Sequence, residues 1–169
     1  NLARKMVRNV KKIIERHMLT EVLLPEKREQ WASDSFTVRR DLERRDPSMQ
    51  AKGITANITG SRAEVIICDD VEVPRTCDTA AKRADLRERL LEIEYILVQG
   101  GTRLYVGTPH HYYSIYADKP RHEIGEDIAF LDGYTRLICP LLNDKGQSVW
   151  PERYKQDEIA RIKAHTGPN

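Results

Sequence analysis

"AEVIICDDVEV", residues 63–73, drives four consecutive apolar residues, Val65 to Cys68, straight into two adjacent carboxylates, Asp69 and Asp70. A continuous apolar run of this length suits a strand buried on both faces, as parallel strands in α/β sheets are. Neighbouring carboxylates repel, so the pair implies a cation nearby or a carboxyl held for proton transfer. Polarity begins at the C-terminal end of the strand, which is where ligand sites gather in open parallel sheets.

Downstream, Leu86, Leu90, Ile93 and Leu97 recur at helical spacing from Thr79 onward, with Asp78 as expected N-cap and Gly100-Gly101 as the stop of a helix of about 20 residues. A second apolar strand, Arg103 to Val106, enters Gly107-Thr108-Pro109 and a short helix through Tyr116. Residues 134–142 read as a further strand, and Trp150-Pro151-Glu152 as the start of a last helix reaching about His165. Upstream, Leu2, Met6, Val10, Ile13 and His17 predict an amphipathic helix over 2–18 that ends at Leu23-Leu24-Pro25. Short strands are expected at Ser35 to Val38 and at Ile54 to Thr59. Alternating strands and helices indicate an α/β fold, a mostly parallel sheet flanked by helices on both faces.

At 169 residues, 40% hydrophobic and 32% charged, the chain has the composition of a single globular domain or a piece of one. No apolar run approaches the ~20 residues of a membrane span, so no membrane association is expected and the reading is cytosolic. The net charge of +2 is too mild to announce a nucleic-acid binder, although Arg4, Lys5, Arg8, Lys11, Lys12 and Arg16 crowd the first helix beside Glu15 alone. Cys68, Cys77 and Cys139 show no C-x-x-C spacing, which fits a reduced compartment and no zinc site.

An apolar strand closed by two acids is the pattern of a Walker B element, in which the first acid helps hold hydrated magnesium and the second orients or deprotonates an attacking water. The plainer alternative is a pair of solvated acids capping a strand. A phosphate cradle of the form G-x-x-x-x-G-K-[ST] is missing, because no Gly-Lys dipeptide occurs in the chain. Either the chain is no nucleotide hydrolase or its phosphate loop lies upstream of Asn1.

The blocks "DPSMQAKGITANITGSRAEVIICDDVEVP" (46–74), "LYVGTPHHYYSIY" (104–116) and "VWPERY" (149–154) together resemble the ATPase domain of the large terminase subunit of tailed bacteriophages, closest to the short-tailed phage branch. The resemblance implies a partial P-loop NTPase core of the ASCE type over residues 1–169, from Walker B to the coupling motif, with Walker A upstream and a nuclease domain downstream. Asp69 would be the magnesium-associated acid and Asp70 the acid that activates water, where many relatives have Glu. Gly107-Thr108-Pro109 would match the coupling motif, with Thr108 sensing the γ-phosphate, and Arg62 an arginine offered to a neighbouring subunit's nucleotide. ATP and Mg²⁺ are the implied cofactors. The implied partners are double-stranded DNA, the portal protein, the small terminase subunit and further copies in a ring, acting in the host cytoplasm and at the procapsid portal. The chain alone would not hold ATP.

Two other readings stay open: a metal-dependent nuclease centre on Asp69 and Asp70, which needs further carboxylates such as Asp34, Asp78 or Glu94 to converge, and a non-catalytic interaction fragment. His110-His111 is read as a polar helix start, Trp31 and Trp150 as packing anchors, and Arg39, Arg40, Arg44 and Arg45 as a solvated loop.

Overall fold

A computed structural model describes residues 2–27 and 30–166, which divide into two units, 1–132 and 133–169. In the first unit, helix α1 (Leu2–Arg16) precedes a 3-10 turn (Met18–Leu23) and a small antiparallel pair, β1 (Ser35–Phe36) with β2 (Met49–Gln50). The helix does form, but Val7 and Ile14 are its buried residues and Ile13 is exposed, one position away from the expected stripe. Val7, Ile14 and Phe36 make a small core with Trp31 packed at its edge. Trp31 is thus an anchor: its indole meets Phe36 with centroids 5.3 Å apart and donates to Glu15 at 2.8 Å.

The strand that the apolar run predicts is β3 (Ala63–Asp69), and it pairs in parallel with β4 (Leu97–Val106). Parallel neighbours need a long crossover. Here it comprises α2 (Pro74–Cys77), α3 (Ala80–Glu92) and a 3-10 turn (Ile93–Ile96). Thr79, in extended conformation, caps α3 by accepting from the Lys82 N–H at 3.3 Å. Asp78, expected in that role, has helical dihedrals, ends α2 instead and pairs with Lys82 at 2.8 Å. The helix ends earlier than its periodicity suggests, and Gly100-Gly101 lie inside β4, at an irregularity where residues 98–101 bow out between the partners of Ala63 and Val65. Gly100 has φ +75°, and a Cβ on Gly101 would come within 2.9 Å of the Glu64 carbonyl oxygen, so the bulge needs both glycines.

One face of the β3–β4 pair is covered. Cys68, Leu86, Leu90, Ile93 and Ile115 form the buried cluster, with Ile66, Tyr105 and Phe130 packed around it. The other face is not: Val65 is 60% and Ile67 45% exposed, and Leu104 and Val106 beside them are also exposed. The expectation of burial on both faces, under helices on both sides, is therefore corrected to one covered face, since the side chains that point the other way stay exposed. The strand expected at Ile54 to Thr59 is a pair of turns, and the segment after Pro109 is turns rather than a helix.

In the second unit no strand forms over 134–142, where Leu137 is 90% and Ile138 75% exposed; a single bridge joins Leu142 to Ser148. Residues 151–154 turn, and α4 spans Gln156–Thr166, starting later than expected. Trp150 is no buried anchor: it is exposed, edge-on to Tyr154 and under the Arg153 guanidinium. No helix among the described residues is long and apolar enough to cross a membrane.

Candidate functional site

Strand register brings the two predicted polar strand ends together. Asp69 is the Cα partner of Val106, so Asp69-Asp70 and Gly107-Thr108-Pro109 leave the same edge of one parallel pair. The Asp70 N–H donates to the Val106 carbonyl at 2.9 Å, which stitches the acid turn to the end of β4. Asp70 holds φ +46°, a left-handed conformation that Asp tolerates better than most side chains and that costs of order 1 kcal/mol. Asp69 is half-buried, while Asp70, Gly107 and Thr108 are exposed.

Tyr116 closes over this end. Its hydroxyl donates to the same Val106 carbonyl at 3.3 Å. Burial raises the phenol pKa, and the nearby carboxylates of Glu72, Asp70 and Asp69 push it in the same direction, so it remains a protonated donor. The ring passes directly over Gly107: a Cβ there would lie 2.3 Å from the hydroxyl oxygen and 2.7 Å from Cζ. Gly107→Ala is expected to cost about 1–3 kcal/mol by overpacking. Tyr116→Phe should recover part of that loss, because it removes the nearest atom. Chemical denaturation of both single variants and the double variant checks this, and strictly additive losses would sink it.

Glu72, which no sequence motif singles out, is the most deeply buried charged side chain at this end, 1% exposed. Its Oε1 accepts from the His110 N–H at 3.0 Å and its Oε2 from the Ile115 N–H at 2.8 Å. The available signal was an acid between two apolar residues, Val71 and Val73, but alternation alone does not say which way such an acid points. Further along, Arg87 ties the same loop to α3, pairing with Glu126 at 2.8 Å and donating to the Tyr113 carbonyl at 2.8 Å. Arg83, also buried, donates to the Cys77 carbonyl and stacks over the Tyr113 ring.

Cys68, immediately before the acids, has its thiol pushed up to about 11, chiefly by burial, with partial relief from Tyr105 and Arg103. Its side chain packs in the buried cluster with Leu86, Leu90, Ile93 and Ile115. Arg62 lies at the other end of β3, donating to the Ser61 carbonyl at 3.0 Å. Six strand residues, Ala63 to Cys68, at about 3.3 Å each lie between it and Asp69, so the fold does not bring Arg62 to the acids. His110 and His111 sit in the loop. The His111 ring accepts from the Tyr113 N–H at 3.1 Å and stacks on that tyrosine. Among the arginines read as a solvated loop, Arg44 pairs with Glu64 at 2.6 Å and Arg39 with Glu26 at 3.8 Å. No group of three or more His, Cys, Asp or Glu residues gathers as a metal site among the described residues.

In comparison with known proteins, the chain is 31% identical over 135 residues to the terminase large subunit of Enterobacteria phage T3. The match covers 79% of this chain and 22% of that protein, so the chain spans about a fifth of the relative's length. No protein-family profile matches the chain.

Proposed function

Because the chain belongs to the large terminase subunit family, in the short-tailed phage branch, we propose that it forms part of the ATP-hydrolysing core that drives double-stranded DNA into a procapsid. The observation that supports this most is the register of Asp69 with Val106, which gives the acid pair and the Gly107-Thr108-Pro109 turn one shared edge. In this reading ATP and water yield ADP and phosphate, on a P-loop (ASCE) core whose phosphate loop comes from elsewhere in the protein.

The donor set suits magnesium: two carboxylates, one half-buried at a rigid strand end and one exposed, offer only oxygen to a hard cation that keeps most of its waters. Bound there, the ion would offset the charge of the phosphates. Asp69 would help hold the ion, Asp70 would orient an attacking water and take its proton, and Thr108 would sense the γ-phosphate of that nucleotide. Gly107, without a side chain, leaves room for the Tyr116 ring and so lets the turn that carries Thr108 lie against it. Arg62, remote from its own acids, serves a neighbouring subunit's nucleotide, where its fixed delocalised charge suits a phosphoryl transition state. The partners in this reading are DNA, the portal protein, the small terminase subunit and further copies of the protein in a ring, in the host cytoplasm and at the portal.

A nuclease centre is the second reading. It needs three or four converging carboxylates, and no such group gathers among the described residues. The third, a non-catalytic interaction fragment, predicts no hydrolysis in the intact protein.

The test is the metal dependence of hydrolysis by the intact large subunit. Asp69→Asn should raise the magnesium concentration for half-maximal ATP hydrolysis roughly tenfold or more, the usual cost of losing a group that orients a metal's ligands. An unchanged magnesium requirement, or DNA cleavage without ATP hydrolysis, would overturn the reading.

A further inference from the structure

We infer that Glu72 is a latch that makes the acid turn and the loop after β4 move as one body, and so acts as a positioning residue for Thr108. A buried carboxylate is costly unless its oxygens are satisfied. Glu72 meets that requirement entirely with main-chain N–H groups from one distant segment, 38 and 43 residues away. Its own backbone is held on the near side, where the Val73 N–H is capped by the Thr76 hydroxyl at 2.9 Å and that hydroxyl also lies 2.9 Å from the Val71 carbonyl. On the far side, Ile115 is fully buried in the core cluster, which makes it a fixed anchor rather than a yielding one.

A second tie runs in parallel. The Val106 carbonyl accepts from both the Asp70 N–H and the Tyr116 hydroxyl. The segment 107–116 is therefore fastened to the acid turn at its start, through Val106, then at His110 and again at Ile115, while Tyr116 ties its far end back to Val106. Thr108 lies between the first two fastenings, so its position follows that of Asp69 and Asp70. Any ligand that shifts the acid turn must either carry this loop with it or break charge-assisted hydrogen bonds. The link to hydrolysis rests on the proposed ATPase reading; the mechanical tie does not.

The experiment is amide hydrogen exchange and ATP turnover on the intact large subunit carrying Glu72→Gln. A glutamine keeps one acceptor but turns an amine toward the other N–H. The His110 and Ile115 amides should then exchange about 10- to 100-fold faster, with α3 and β3 unchanged. The catalytic effect should fall on kcat, roughly tenfold or more, with little change in KM. Asp70→Asn, in contrast, should lower turnover and leave those two amides protected. Unchanged exchange at His110 and Ile115 in Glu72→Gln overturns the latch, and so does faster exchange spread evenly through the unit, which would make Glu72 a general stabiliser. Absence of ATP turnover in the unsubstituted protein would sink the ATPase reading, and the exchange measurement would still decide the latch.

Discussion

On the proposed ATPase reading, Asp70→Asn in the intact large subunit should reduce DNA-stimulated ATP hydrolysis by about 10²- to 10⁴-fold, the range that a positioned general base contributes. The substitution is close to isosteric. Asparagine accepts the left-handed φ of +46° at least as readily as aspartate, and the N–H that donates to Val106 belongs to the backbone, so the turn should persist. What changes is basicity: the amide oxygen can still accept a hydrogen bond from water but cannot take its proton. Nucleotide binding should therefore survive while phosphate release collapses. Asp70→Glu should retain more activity than Asp70→Asn, because the proposed role needs a carboxylate. Phosphate release measured with and without duplex DNA settles the point. Full turnover in Asp70→Asn would remove the base from this position and leave the pair as a metal anchor at most.

Ile115→Ala should have the largest effect on stability, about 2–5 kcal/mol, as deletion of buried aliphatic groups does. Ile115 is 0% exposed and lies in the cluster with Cys68, Leu86, Leu90 and Ile93, so the cavity would open beneath the covered face of the sheet. The same residue supplies one of the two N–H groups that satisfy Glu72. Loosening its packing therefore threatens a buried carboxylate as well as a hydrophobic contact. Leu137→Ala provides the contrast: an exposed leucine outside any strand should change stability by no more than about 0.5 kcal/mol. Denaturation midpoints of the two variants compare them directly, and similar losses would mean that Ile115 is less tightly packed than its burial indicates.

Local patterning is a good guide to which segments form helix or strand, and a poorer one to which face they bury. The run Val65 to Cys68 became β3, the leucine spacing after Thr79 became α3, and the helix over the first residues formed. Where apolar residues stood in short runs without a partner surface, the same rules failed. Residues 134–142 have the composition of a strand but expose Leu137 and Ile138; strand propensity measures fit to a pleated neighbour, and among the described residues no strand is paired with this segment. Gly100 and Gly101 resemble a helix stop because positive φ serves a C-cap and a bulge equally well. The chemistry of the candidate site divides in the same way. The acid pair and the Gly107-Thr108-Pro109 turn were legible as two polar strand ends, whereas Arg62 could be located relative to them only once the length of β3 was known.

By itself the sequence determined that a hydrophobic strand ends in Asp69 and Asp70 and that a second such end follows one helix later, because side-chain period and polarity are local properties. The tertiary structure alone decided that these ends are hydrogen-bonded neighbours, that Glu72 points inward to two N–H groups some forty residues away, and that Tyr116 lies over Gly107. Those relations depend on which distant backbone groups must be satisfied once water is excluded, and no local pattern records that.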